Sequence, residues 1–288
     1  MNVLERSVEL INPPKYETLL SNVEQAARNC YRSQDKITDN SAEPMIRALI
    51  KSGHEGTIEF ANLEFMIVCD RAISHQIVRH RIGTSYCQES MRYCSYNKDV
   101  FNNSVNFIVP YDMTNELYDT WRASCLAAEA AYFVLLEKGA KPETARSVLP
   151  QCTATHLVMQ MNMRALRHFL KLRLDSHAQS DIRDIAYKML ELVHEKYPVF
   201  VEDIVNKYIN EYIRRKNNIK FNDIFKFVSK TNVLDNNILD ICKYKTFIFD
   251  EKSEVLCREN IINPLHIGII LANVLHDNIA IAKCGIRT

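Results

Sequence analysis

Apolar and polar positions alternate over Leu63, Phe65, Ile67 and Cys69 against Glu64, Met66 and Val68, and this spacing predicts a buried strand. Thr155, Leu157, Met159 and Met161, facing opposite to His156 and Gln160, predict a second. A weaker alternation over 3–11 and a short run at 104–109, ended by Pro110, read as further strands. Helical spacing covers 16–28, 44–51, 71–81, 115–138 and 163–172, with Gly53 and Gly139 placed as C-terminal stops. Ser176-His177-Ala178-Gln179 has the form of a capping box. The helix after it carries Ile182, Ile185, Ala186, Met189, Leu190 and Val193 on one stripe. Strands interspersed with helices in this way predict an α+β fold.

Near residue 210 the pattern changes, and 210–232 is rich in Asn, Lys and Ile. The expected division is a working domain over 1–210 and an appendage of unknown role over 211–288. Within the appendage, the basic run 212–216 reads as a solvated helix end, and 264–283 as a helix that packs on an assembly or binds a partner.

Composition narrows the chemistry. The 288 residues include 36 basic and 35 acidic side chains, a net charge of +1, so no global field draws the chain to nucleic acid or to a membrane. Any basic site is local. Only six glycines are present, and neither GxGxxG nor GxxxxGK can be written from them. A Rossmann fingerprint and a P-loop are therefore excluded, and a nucleotide would have to be held by side chains and helix ends. The nine cysteines form no CxxC and no zinc spacing. With no signal peptide in view, they read as reduced thiols of a cytoplasmic protein without a metal site. The longest apolar stretch, 265–275, contains His266 and Asn273 and is too short to span a bilayer.

Three segments gather chemistry. The first, 71–93, holds Arg71, Arg79, Arg81 and Arg92 against one acid, Glu89. By the i, i+3, i+4 rule Gln76, Arg79, His80 and Gly83 share one helical face. The hydroxyls and amides of Thr84, Ser85, Tyr86, Gln88 and Ser90 follow directly. Arginine forks suit phosphate, so the segment reads as an anion site or, equally, as a solvated helix face with scattered ion pairs. The second runs from Asn162 to Gln179: Asn162 and Arg173 stand about three turns apart, Arg164 and His168 form an i, i+4 pair, and Asp175 or Ser176 can cap the next helix. The third, Gly53-His54-Glu55-Gly56-Thr57, reads as a turn between helix and strand; it is not HExxH, which excludes a zincin.

Together these segments resemble a known family. Arg79-His80-Arg81, followed by Ser90 and then Arg92-Tyr93, is similar to the RHR-x7/8-S signature of flavin-dependent thymidylate synthases. The resemblance extends to Gly53-His54-Glu55, to Ala145-Arg146 through Leu149-Pro150, and to Leu172 through Gln179, in the same order, and covers about 1–210. It implies an α+β fold with an antiparallel sheet and no Rossmann domain. The reaction it implies is methylation of dUMP at uracil C5, with methylenetetrahydrofolate as carbon donor and FAD, reduced by NADPH, as hydride source. It further implies a homotetramer with FAD and dUMP at subunit junctions.

The resemblance also implies residue roles. FAD contacts fall on His54, Gly56, Arg79, His80, Arg81, Gln88, Asn162, Met163, Arg164 and His168. Contacts to dUMP fall on Gln76, Ile77, Val78, Arg79, Gln88, Glu89, Ser90, Met91, Arg92, Arg146 and Arg173, with Arg173 catalytic beside the uracil ring. A guanidinium at N3 and its neighbouring carbonyl stabilises the enolate-like ring that is electron-rich at C5. Ser90 shows no adjacent base in the sequence, and Cys87 reads as a small packing residue, so neither is assigned as a nucleophile. The chain departs from the family at Gln88, where Glu is frequent, at Gly56, where Ser or Thr is frequent and Thr57 stands one residue on, and at Phe60, where His is frequent. The loop before Ser90 is one residue longer than the commonest form. The rival readings are a paralogue that binds FAD or nucleotide without turnover and an RNA-binding module; the missing RNP-type aromatics and the near-neutral charge weigh against the second.

Overall fold

The structure is a computed structural model that describes residues 1–97 and 103–208, with two further strands, Ile248–Phe249 and Val255–Leu256, that pair antiparallel. The chain divides into two units, Met1–Ile209 and Asn210–Thr288. The basic run at 212–216 and the helix expected over 264–283 lie outside the described residues. The first unit runs β1 (Asn2–Leu4), β2 (Ser7–Ile11), α1 (Tyr16–Asn29), α2 (Ala42–Lys51), β3 (Asn62–Asp70), α3 (Arg71–Ile77), β4 (Thr84–Gln88) and β5 (Asn106–Ile108). It continues with α4 (Asn115–Glu137), α5 (Pro142–Ala145), β6 (Ala154–Asn162), α6 (Met163–Arg173) and α7 (Ser180–Lys196), and a last helix over 202–208. Among the described residues no helix is long and apolar enough to cross a membrane.

The sheet is built on β3 and β6. They pair antiparallel along their full length, from Asn62 opposite Asn162 to Asp70 opposite Ala154. β2 adds to the outer edge of β3 and β4 to that of β6, giving the antiparallel order β2-β3-β6-β4. The fold is thus α+β. Period-two alternation decides the faces: Leu63, Phe65, Ile67, Leu157, Met159 and Met161 are buried, while Glu64, His156 and Gln160 point the other way and stay in contact with solvent. The buried stripe of α7 and Leu166, Phe169 and Leu170 of α6 complete this core. The 3–11 region splits into two strands, and β1 pairs parallel with β5 instead of joining the main sheet. A second buried cluster, Met91, Tyr96, Val105, Phe107, Cys125, Tyr132 and Ala145, lies against α4.

Both central strands turn directly into helices through a capping side chain. Asp70 accepts the Ile73 N–H at 2.8 Å to start α3, and Asn162 accepts the Ala165 N–H at 2.8 Å to start α6. The helix expected over 71–81 is shorter than its sequence pattern and ends at Ile77. Its last carbonyls are taken by side chains: the Gln76 carbonyl by Arg173 at 3.3 Å, and the Ile77 carbonyl by the Tyr86 hydroxyl at 3.1 Å. Gln76, Arg79, His80 and Gly83 therefore do not share a helical face. The expected capping box is also not formed. α7 begins at Ser180, and Asp175 accepts the His177 N–H locally at 3.0 Å.

Two of the three described glycines at positive φ lie beside the segments that gather chemistry. Gly53 closes α2 at φ +74°, with its N–H on the Ile50 carbonyl and the His54 N–H on the Leu49 carbonyl, a Schellman turn. Gly83 turns the chain into β4 at φ +69°, and a Cβ there would lie 2.5 Å from Asn162 Nδ2. Gly53 has nothing within 4 Å of that position. Gly53→Ala should therefore cost about 1 kcal/mol of backbone strain, and Gly83→Ala about 3 kcal/mol, because overpacking adds to the strain. The urea midpoints of the two variants, at unchanged slope, test this ranking.

Candidate active site

α6 is the spine along which the distant sequence clusters meet. At its start, Gly83 lies against Asn162, whose N–H donates to the Gly83 carbonyl at 3.0 Å. At mid-helix the His80 ring makes an edge contact with Phe169, centroids 4.8 Å apart, and lies 6.2 Å from the His168 ring. At its end, Arg173 Nε donates to His80 Nε2 at 3.0 Å. The His80 carbonyl accepts from the hydroxyls of Tyr86 and Thr84. Burial, then the Arg173 charge, then His168, pushes the His80 pKa down to about 4, so the imidazole is neutral. Burial also lowers Arg173, which stays far inside the charged range of a guanidinium.

The Gly53–Thr57 loop joins the same helix from another side. Arg167, fully buried on α6, reaches Glu55 at 3.2 Å, the Phe200 carbonyl at 2.6 Å and Asp203 at 2.6 and 2.8 Å. Lys171 adds a 3.5 Å contact to Glu55, and Arg164 pairs with Glu59 at 2.7 Å instead of with His168. His54 and Gly56 are left exposed, and Thr57 Oγ1 is buried without a hydrogen-bond partner among the described residues. Arg79 and Arg81 are exposed and make no ion pair among the described residues.

A second group forms at the far end of β4. Gln88 Nε2 donates to Ser74 Oγ at 2.9 Å and Thr155 Oγ1 at 3.1 Å. The Glu89 carboxylate contacts His156 Nδ1 at 2.9 Å, and the Glu89 N–H donates to the His156 carbonyl at 2.9 Å. Ser90 opens a turn whose carbonyl accepts the Tyr93 and Cys94 N–H groups, and Met91 anchors that turn in the α4 cluster. Arg92 is exposed and pairs with Glu143 of α5 at 3.1 Å; Arg146, just past α5, is half-buried, and its side chain makes no hydrogen bond among the described residues. β4 advances roughly 13 Å over its five residues, and no hydrogen bond among the described residues joins this group to the His80–Arg173 pair.

Three expected contact residues, Ile77, Met91 and Met163, are buried in the core, and Val78 is half-buried beside them. Cys87 does not pack. It is exposed on the outer face of edge strand β4, because the β4 register sends Tyr86 and Gln88 inward.

Arg167 is the residue that sequence reasoning missed. Its signal was a charged side chain on the apolar stripe Met163, Leu166, Leu170 and Leu174. Burial works against its charge, and Asp203 and Glu55 outweigh that effect. Burial likewise opposes the Asp203 carboxylate, and the bonds and charge of Arg167 hold it below the ordinary carboxylate range. Arg167→Met should cost about 3 kcal/mol by stranding both acids. An acid with a depressed folded-state pKa stabilises above its unfolded value. The wild-type advantage should therefore be complete above pH ~4 and shrink as the pH falls further, in urea titrations of both proteins.

A family model described as thymidylate synthase complementing protein matches residues 15–199. The flavin-dependent thymidylate synthase of Pyrococcus furiosus is 37% identical over 162 residues, 55% of this chain and 65% of that one, so the chain spans just under two thirds of that relative's length. The flavin-dependent thymidylate synthase of Saccharolobus solfataricus is 38% identical over 200 residues, 68% of this chain and 75% of that one. Among solved structures, a UMP/dUMP methylase, PolB from Streptomyces cacaoi, bound with 5-Br dUMP, is similar at 26% identity and a TM-score of 0.58, over 70% of this chain and 96% of the other. With 185 consecutive positions inside the family match, spanning the Gly53 loop, the 79–92 segment and α6, the chain belongs to the thymidylate synthase complementing protein family.

Proposed function

We propose that this chain is a flavin-dependent thymidylate synthase, a methyltransferase that converts dUMP to dTMP with methylenetetrahydrofolate as carbon donor and NADPH as reductant of FAD. The carrying observation is Arg173, a half-buried guanidinium held by neutral acceptors at the mouth of the 76–83 turn. The similar methylase bound with 5-Br dUMP supports a uridine nucleotide as ligand, and the curated relatives support the flavin.

The donor set fits a flavin dinucleotide. Arg79 and Arg81 have no counter-ion among the described residues, as a pyrophosphate partner requires, and Thr57 Oγ1 lacks an acceptor or donor beside the open Gly56 position. His54, His80, Asn162, Arg164 and His168 would flank it. When bound, reduced FAD supplies hydride to the one-carbon unit.

The chain's own residues bind, orient and polarise the nucleotide. Ser90 and the Arg92 guanidinium take the phosphate. The exposed Arg92–Glu143 pair contributes little, so a phosphate displaces Glu143 readily. Gln76, Glu89 and Arg146 line the nucleotide, and Arg173 faces the pyrimidine, where its charge stabilises negative charge developing on the ring. Ser90 Oγ accepts from the Arg92 N–H at 3.4 Å, and the proposed pathway uses no enzyme nucleophile.

We also propose 1–210 as the catalytic domain of a cytoplasmic homotetramer. Separation of the phosphate and pyrimidine groups along β4 supports sites completed by a second copy, as do the exposed Ile82, at 92%, and Phe60, at 61%, flanking α6.

An anaerobic visible spectrum of the protein with FAD and NADPH tests the reading. Flavin bleaching should accelerate when dUMP is added, and methylenetetrahydrofolate should then yield dTMP. A folded oligomer that binds no flavin sinks the proposal and favours a paralogue without turnover. Arg173→Ala should lower kcat by about 10²–10³. Cys87→Ala should stay within a few-fold of wild type in the same assay.

A further inference from the structure

Three arginines of this fold that lie wholly or partly buried are neutralised by carboxylates: Arg6 by Asp181 at 2.6 Å, Arg28 by Glu24 at 2.9 Å, and Arg167 by Asp203 and Glu55. Arg173, like the half-buried Arg71 and Arg183, reaches only neutral acceptors among the described residues, and it alone of these three is bonded to a histidine. Its bonds go to His80 Nε2 at 3.0 Å and to the Gln76 carbonyl at 3.3 Å, both without charge.

The geometry fixes the state of the histidine. A guanidinium does not give up its proton in a protein, so Nε–H is the donor and His80 Nε2 must carry the lone pair. His80 is then the neutral Nδ1–H tautomer. The groups packed around it are Arg173, His168 and Phe169 from α6 and Tyr86 from β4, with no carboxylate among those described. Its ring rests on Phe169, and its carbonyl is tied to Tyr86 and Thr84, so the acceptor is rigid.

Resting on the dUMP reading above, we propose that His80 is a positioning residue: its neutral Nε2, with the Gln76 carbonyl, aims the Arg173 guanidinium at the pyrimidine while leaving its positive charge uncompensated. A carboxylate in the same place would orient the guanidinium equally well and cancel the field it exerts. Two of the five guanidinium N–H groups are used by the clamp, and three remain for the ligand.

The test begins with nitrogen NMR of histidine-labelled free protein. His80 should show an unprotonated Nε2 at pH 7, should titrate below pH 5, and should move up towards the free-imidazole value, ~6.5, in Arg173→Gln. The activity arm compares His80→Gln, which keeps a neutral acceptor, with His80→Phe, which keeps the ring volume alone, at saturating flavin and dUMP and with flavin affinity measured for each. His80→Phe should fall at least 10-fold below His80→Gln in kcat. A protonated Nε2, a titration that ignores Arg173→Gln, or equal kcat in the two variants overturns the proposal. The NMR arm needs no turnover, so a wild-type chain inactive on dUMP refutes the function while the hydrogen bond is still decided.

Discussion

A guanidinium with almost no solvent contact cannot be left unpaired, and Arg167 imposes that constraint on this fold. Satisfying it draws together Glu55 from the loop before β3, α6 itself, and Phe200 and Asp203 after α7. The loop that carries His54 and Gly56 is therefore fixed to α6 by charge, and α6 is fixed against the sheet by Phe169 and Leu170. Once α6 is immobile, the side chains along it, Asn162, His168 and Arg173, acquire definite positions relative to the turn that follows α3. A structural cation on the buried side thus sets the geometry of the Arg173 guanidinium at the helix end.

Much of this architecture was legible in the sequence because it rests on local rules. The β3 and β6 strands follow from period-two alternation, the buried stripe of α7 from its helical period, and the ends of α2 and α4 from Gly53 and Gly139, both at positive φ. The errors came where another hydrogen-bond partner or the strand register overrode the local pattern. α3 stops at Ile77 because Tyr86 and Arg173 take its last carbonyls. The Ser176–Gln179 capping box fails because Asp175 closes its own turn and Gln179 is engaged by Gln76 at 2.6 Å. Cys87 faces outward because of strand register, which composition does not reveal.

The site clusters were legible as lists of residue types, and their pairing was not. Nothing in the spacing of His80 and Arg173, 93 residues apart, indicates a hydrogen bond between them. Nor does the sequence separate Arg164, which pairs with Glu59, from Arg79 and Arg81, which pair with no described acid. The partner of each arginine comes from tertiary structure, and the partner determines whether its charge is available.

That distinction divides the site along β4. At the Ser90 end, Arg92 is exposed and shares Glu143, an interaction weak enough in water to be exchanged for a phosphate, and a phosphate brings enough charge to hold its own place. At the Arg173 end, the proposed ligand atom is a ring oxygen or nitrogen that gains charge only as the reaction proceeds, and it cannot displace a carboxylate from a guanidinium. The fold supplies neutral partners there, the Gln76 carbonyl and the imidazole of His80. Holding that imidazole neutral also requires that no acid stand beside it, and the low pKa imposed by burial, Arg173 and His168 fits this requirement. On the proposed reading the two ends therefore obey different electrostatic rules: exchangeable pairing where the ligand is already an anion, and neutral clamping where negative charge has yet to form.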